Sequence, residues 1–135
     1  MLLDEIVSDA QRHGPTCAKR AARAVFSLVG SSSKALELEH CGLSFQRIPP
    51  GYRFPYGHTH KEQEEVFVVV RGSGRMKLDD EVVEVKEWDV VRVPPGTWRG
   101  YEGGPEGLEV LVFGAPSLGE NPREDVEGER DWWAD

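Results

Sequence analysis

The sequence predicts an all-β fold, a jelly-roll-like barrel or sandwich of about eight to ten strands in one domain. Short apolar runs alternate with Gly and Pro turn signals over residues 65–113. No helical periodicity occurs between residues 50 and 115. The length of 135 residues is enough for one hydrophobic core and too short for two.

Composition and charge narrow the class of protein. Lys and Arg total 16 against 24 Asp and Glu, a net charge of -8 that repels nucleic acids and anionic lipid surfaces. The longest apolar run, residues 66–70, is too short for a membrane span, and the acidic start does not resemble a secretory signal. We therefore expect a cytoplasmic protein with no nucleic-acid or membrane partner, in which Cys17 and Cys41 are buried reduced thiols.

The chain divides into three parts. Residues 1–15 form an N-terminal extension with a short amphipathic helix, and residues 16–118 form the barrel. Turn signals at residues 72–74, 79–80, 94–96 and 103–105 separate the predicted strands, which cover residues 23–29, 43–48, 65–70, 75–78, 82–85, 90–93, 97–102 and 108–113.

Residues 119–135 form an acidic tail with seven acidic residues and two arginines. A run of this composition is normally solvated, but Trp132 and Trp133 would expose a large apolar surface there. We expect both tryptophans to dock onto the barrel or onto a partner subunit.

A His-x-His pair offers the first chemistry. On an extended chain His58 and His60 point to the same face, as two ligands of one metal must. Two histidines and one carboxylate are the minimal facial ligand set for Fe(II), Mn(II) or Zn(II). Glu64 has the matching parity on an unbroken strand, whereas Glu65 needs a turn or bulge over residues 61–64. Periodicity alone leaves this choice open.

Residues 51–72 resemble the first motif of the cupin superfamily, whose members are small double-stranded β-helix (jelly-roll) barrels. That motif reads Gly, five residues, His-x-His, three or four residues, Glu, six residues, Gly. His58, His60, Glu65 and Gly72 match it. The resemblance implies that Glu65, rather than Glu64, completes a metal triad for Fe, Mn, Ni or Zn.

Residues 88–103 resemble the second cupin motif with three departures, of which two are Trp88 at its glycine position and Gly103 at its asparagine position. Pro94-Pro95-Gly96 matches, but Arg99 stands where the motif has its fourth metal ligand, a histidine. A guanidinium has only donors and stays protonated, so Arg99 cannot ligate a metal. The motifs therefore supply at most three protein ligands.

Three functional interpretations remain open. In the first, the triad holds a transition metal, Arg99 orients a small anionic substrate, and the protein is a dioxygenase-type or related metalloenzyme. In the second, the barrel is a metal-free binding module in which Arg99 and the two histidines grip an acidic or hydroxylated small molecule. In the third, Arg99 and Glu65 form a buried ion pair in a barrel without chemistry.

Two tyrosines are further candidates for substrate contact. If Arg99 points inward, Tyr101 does so as well, because side chains two residues apart share a face. Tyr56 precedes the His-x-His pair with the same alternation and could line the mouth of the barrel.

The strand that begins at Glu65 also predicts an association surface. With Glu65 inward, Val66, Val68 and Val70 form an outward apolar row that the N-terminal strands or a second subunit must cover. Cupins commonly dimerise, so the resemblance implies a homodimer.

Overall fold

The computed structural model describes residues 29–31, 38–115 and 124–134. The predicted N-terminal extension lies outside these residues. The described chain contains eight strands and confirms the all-β prediction: β1 Val29–Ser31, β2 Gly42–Ile48, β3 Tyr56–His60, β4 Glu65–Leu78, β5 Glu81–Lys86, β6 Val90–Val93, β7 Arg99–Gly114 and β8 Val126–Arg130. Nowhere in these stretches is there a helix long and apolar enough to span a bilayer.

The strands form one antiparallel network with β7 at its centre. The second half of β7 lies between β2 and the first half of β4. Its first half pairs with the second half of β4 and meets β3 where His58 lies opposite Arg99. Further pairs place β1 on β2, β5 and β6 on β4, and β8 on β3. This topology brings the ends of β3, β4 and β7 together.

The predicted turns at residues 72–74 and 103–105 are wrong, because both segments lie inside the long strands β4 and β7. The pairing of these strands shifts register between Val69 and Arg71 and again between Gly72 and Gly74. The glycines permit close contact between backbones. A Cβ on Gly72, where φ is +78°, would lie 2.1 Å from the carbonyl oxygen of Gly107.

Alternation along β4 sets the inner face. Phe67 is 1% exposed and Val69 is fully buried, so Glu65 has inward parity, and the outward-facing Val66 and Val68 are only half-buried. A bend at residues 61–62 separates β3 from β4, as the choice of Glu65 requires. The core cluster consists of Ile48, Phe67, Val69, Met76, Val85, Val93, Tyr101, Leu108, Val110 and Val112.

The tail docks onto the barrel, as its tryptophans predict. Trp133 is 8% exposed, with the Arg53 guanidinium 4.4 Å from its ring centre. Trp132 stacks on Trp98 with 5.8 Å between ring centroids. It also covers Gly57, where an added Cβ would lie 2.3 Å from the indole. The absence of a side chain at this glycine of β3 therefore lets the tail pack against the strand.

The expectation of buried thiols is wrong for Cys41, which is free and exposed. Cys41 directly precedes β2 and belongs to none of the strands that form the core. Cys17 lies outside the described residues.

Two glycines with positive φ, Gly72 and Gly96, provide the first test. Gly72→Ala should lower the free energy of unfolding by at least about 2 kcal/mol, because left-handed strain adds to a clash with backbone that no side-chain rotation relieves. Gly96→Ala is the matched control, with φ +81° and open space at the Cβ position, and should cost only about 1 kcal/mol. Urea denaturation measures both losses, and equal losses would contradict the proposed close contact.

Candidate functional site

The candidate site lies where β3 ends and β4 begins. His58 and His60 occupy alternate positions of β3, and Glu65 is the first residue of β4 after the bend. One ligand atom from each residue lies within 4.8 Å of the other two. The structure therefore brings together all three metal ligands that the cupin resemblance implies.

His60 lies between two carboxylates. Its Nε2 is 3.5 Å from Glu65 Oε1, and its Nδ1 is 3.0 Å from Asp125 Oδ2. The His60 ring meets the His58 ring edge to face, with 5.3 Å between centroids. Both carboxylates offer only acceptor atoms here, so a proton or a metal cation between Nε2 and Glu65 would stabilise this arrangement.

Arg99 is fully buried beside the triad. Its Nη1 donates hydrogen bonds to the carbonyl oxygens of Thr97 and His58, at 3.0 and 3.4 Å. Its Nη2 lies 3.1 Å from Glu65 Oε2, an ion pair without hydrogen-bond alignment. Among the described residues, Arg99 Nε, Arg99 Nη2 and Glu65 Oε2 have no hydrogen-bond partner. Arg99 therefore neutralises Glu65 while leaving a carboxylate lone pair for another cation.

Burial and charge favour the ligand-competent form of His58. Burial lowers its pKa to about 4, with a further contribution from the positive charge of Arg99. The ring is therefore neutral near pH 7 and has a lone pair available for a metal.

The two carboxylates keep their charge for a different reason. Burial alone would raise the pKa of Glu65, but its contact with the His60 ring and the Arg99 charge lower it overall. Burial also opposes ionisation of Asp125, and hydrogen bonds from the Glu62 backbone and the His60 ring outweigh it, so this pKa is lowered too. Both groups thus act as hydrogen-bond acceptors only.

Asp125 is the site residue that sequence reasoning missed. It is 9% exposed and accepts a backbone hydrogen bond from Glu62 at 2.8 Å besides its contact with His60. It is one of seven acidic residues in the tail. No local motif distinguishes it from the others, because only the pairing of β8 with β3 brings it to the histidine.

The two candidate tyrosines occupy different environments. Tyr101 is 3% exposed and packs against Phe54 and Phe67, with 5.4 and 6.2 Å between ring centroids. Burial raises its pKa, so its hydroxyl keeps its proton near neutral pH. Tyr56 is 44% exposed, and its ring lies 6.4 Å from that of Phe54. Tyr101 is thus buried in the core, close enough to Arg99 and Glu65 to interact with their charges, whereas Tyr56 lies at the surface.

Two cavities lie outside the triad. One, of about 760 Å³, is lined by backbone and polar side chains of β4, β5 and β7, including Arg75, Lys86 and Glu102. A smaller one, of about 200 Å³, is lined by Lys61, Glu62, Glu124 and Asp125, behind His60. Neither cavity is lined by His58, His60 or Glu65.

Comparisons with known proteins agree with this architecture. The sequence model of the cupin domain family matches residues 44–114, which include both predicted motifs. An uncharacterized protein of Methanocaldococcus jannaschii is 34% identical over 71 residues, 52% of this chain. The match spans 57% of that relative's length.

Solved structures share the fold. A cupin protein from Bacteroides fragilis superposes with a TM-score of 0.63 at 23% identity, over 72% of this chain and 85% of that one. A putative sugar phosphate isomerase from Acidithiobacillus ferrooxidans gives a TM-score of 0.57 at 28% identity, over 64% and 57% of the two chains. Pac13, a nucleoside dehydratase from Streptomyces, gives 0.57 at 22% identity, over 67% and 69%. These likenesses confirm the predicted jelly-roll fold.

The pKa of His58 predicts how stability depends on pH in chelator-treated protein. In the unfolded chain His58 takes up a proton near pH 6.5, whereas in the folded protein it does so only near pH 4. Acidification across this window therefore favours the unfolded state and removes at most about 3 kcal/mol. His58→Gln should flatten the window, and His40→Gln, at an exposed position, should not. Denaturation at several pH values measures this, and equal slopes in His58→Gln and wild type would contradict it.

Proposed function

Because this chain belongs to the cupin domain family, we propose that His58, His60 and Glu65 bind a divalent transition metal (Fe, Mn, Ni or Zn) and that the loaded site accepts a small anionic substrate. The observation that carries the proposal is the convergence of three donor atoms within 4.8 Å of one another. Two imidazoles and one carboxylate suit these metals.

The donor atoms also have the chemical state that a metal requires. His58 is neutral, and Asp125 would accept a proton from His60 Nδ1, which would leave the Nε2 lone pair directed at Glu65. Glu65 Oε2 is buried without a hydrogen-bond partner. A cation between His60 Nε2 and Glu65 Oε1 would relieve the contact of two acceptors 3.5 Å apart.

Charge at the site favours an anionic ligand once the metal is bound. Glu65 and Asp125 each carry a negative charge and Arg99 carries a positive one, so a divalent cation leaves one net positive charge. A small carboxylate or phosphate would neutralise it in a poorly solvated environment. Without the metal the same groups carry a net negative charge, which disfavours anions.

Arg99 supports this site in two ways. Its guanidinium orients Glu65 through the 3.1 Å ion pair between Nη2 and Oε2, and its Nε has no hydrogen-bond partner. The positive charge of Arg99 would favour an anionic ligand at a metal held by the triad. Full burial keeps Arg99 from contacting a ligand without rearrangement of its surroundings. The candidate substrate contacts are Tyr101, which is buried near Arg99, and Tyr56, which lies at the surface.

Open coordination positions at a bound metal would support a metalloenzyme reaction. A metal with three protein ligands keeps positions at which it can polarise a substrate oxygen. We propose a dioxygenase-type or related metalloenzyme. Similarity to a protein named a putative sugar phosphate isomerase adds phosphorylated sugars to the anions worth screening.

Metal stoichiometry tests the proposal. After incubation with Fe(II), Mn(II), Ni(II) or Zn(II) and desalting, wild-type protein should retain about one metal per chain by plasma mass spectrometry. His58→Ala should weaken binding at least about 100-fold, because a ligand is lost. Arg99→His should strengthen binding about tenfold by restoring a fourth ligand.

His40→Ala is the matched control, since His40 is 93% exposed and paired with Glu39 rather than with the triad. It should retain metal like wild type. Full metal retention in His58→Ala would overturn the triad assignment, as would the absence of retained metal in wild-type protein.

A second candidate function is a metal-free binding module for hydroxylated or acidic small molecules. The observation that favours it is the Arg99–Glu65 ion pair, which balances both charges without a metal. In this alternative, His60 would be an imidazolium donating to both Asp125 and Glu65.

Ligand binding with and without metal separates the two candidates. Small carboxylates and sugar phosphates should raise the melting temperature of metal-loaded protein and leave chelator-treated protein unchanged. Arg99→Met should reduce this shift, whereas Arg92→Met should not, because Arg92 is an exposed partner of Glu64. Equal shifts in loaded and chelated protein would favour the metal-free module.

A further inference from the structure

The C-terminal segment contributes a residue to the site that no motif assigns. We propose that Asp125 is a positioning residue, which holds His60 with its proton on Nδ1 and its Nε2 directed at the metal. This inference rests on the proposed metal function and adds to it the role of a residue far from the motifs in sequence.

The geometry uses both oxygens of the Asp125 carboxylate. Oδ2 lies 3.0 Å from His60 Nδ1, and Oδ1 accepts the backbone N–H of Glu62 at 2.8 Å. The Asp125 side chain is only 8% exposed, so water competes weakly for these contacts. The carboxylate thus joins the ligand His60 to the bend that leads to Glu65.

An acceptor at this position determines the tautomer. A neutral imidazole has one N–H and one lone pair, so a proton committed to Nδ1 leaves the lone pair on Nε2. That nitrogen is the one 3.5 Å from Glu65 Oε1. Metal-ligating histidines usually donate their second nitrogen to a carboxylate or carbonyl in this way, which also fixes the ring orientation.

The segment that carries Asp125 is anchored at that residue and along the residues that follow it. The Lys61 N–H donates to the Asp125 carbonyl at 2.8 Å, and β8 pairs with β3 from His60 opposite Val126 to Tyr56 opposite Arg130. Beyond β8, the buried Trp133 receives a hydrogen bond on its carbonyl from Arg53 at 3.1 Å. Asp125 is therefore held by backbone contacts that do not depend on its own side chain.

Asp125→Asn tests the role with little change in shape. The two partners contact different oxygens of the carboxylate, and an amide has only one oxygen, so it cannot accept from Glu62 and His60 in the same positions. If the oxygen keeps the Glu62 N–H, the amide NH₂ faces His60 Nδ1 and favours the opposite tautomer. Metal affinity, measured by chelator competition with Zn(II), should fall about 10- to 100-fold.

Glu127→Gln is the control, because Glu127 is an exposed acidic residue of β8 opposite Thr59. It removes the same charge from the same segment and should leave the affinity within about twofold of wild type. Wild-type affinity in Asp125→Asn, or an equal loss in Glu127→Gln, would overturn the proposal.

A second readout needs no metal. Long-range ¹H–¹⁵N correlation spectra of chelator-treated protein report which His60 nitrogen carries the proton. Nδ1 should be protonated in wild type and Glu127→Gln, and Nε2 in Asp125→Asn. If wild type binds no metal but shows this change of tautomer, the proposed function fails and the positioning role stands. A wild-type Nδ1 without a proton, or an unchanged tautomer in Asp125→Asn, would refute the positioning role.

If Asp125→Asn does not fold, Asp125→Ser replaces it. Its hydroxyl retains an acceptor for the Glu62 N–H and is too short to reach His60 from the same backbone position. The same loss of affinity and of the Nδ1 proton is expected, and wild-type values for both would again refute the role.

Discussion

A fully buried guanidinium is the constraint on which the arrangement of the site depends. Arg99 lies opposite His58 in the pairing of β7 with β3, and burying its charge requires an anionic partner within reach. Glu65 supplies that partner at 3.1 Å, which requires Glu65 to point inward at the start of β4. The bend at residues 61–62, the inward parity of Phe67 and the placement of the triad are all consistent with this single pairing.

The acidic tail connects the site to the outer surface of the barrel. Asp125 contacts His60 at one end of β8, and Trp133 is buried beside Arg53 at the other. Gly57 accommodates Trp132 because it has no side chain, so β3 carries both the two histidines and the surface on which the tail packs. The charges of β8 remain exposed in between, which explains how a strongly acidic segment can be ordered without a buried acidic cluster.

Glycines and parity show where sequence reasoning succeeds and fails. Glu65 was identified by the spacing of the cupin motif and by the need for an irregular segment over residues 61–64, and the structure contains that segment. Gly72 and Gly104 indicated chain reversal in the sequence, yet both lie inside long strands, where an added Cβ would meet the backbone of the paired strand. A glycine reports a need for space or for positive φ, and the sequence does not distinguish a turn from a close contact between strands.

The sequence by itself determined the all-β class and the cupin fold, and it pointed to the candidate ligands His58, His60 and Glu65 and to Arg99 in place of the fourth. The all-β class follows from alternation and turn signals along the chain, and the rest is implied by the resemblance to the two cupin motifs; both are patterns of residues close together in sequence. Only the tertiary structure decided that Arg99 pairs with Glu65 and that Asp125 contacts His60. The first contact joins residues 34 positions apart in the sequence, and the second joins residues 65 positions apart. Pairing between distant strands selects one acidic residue among several chemically equivalent ones, and no local pattern carries that information.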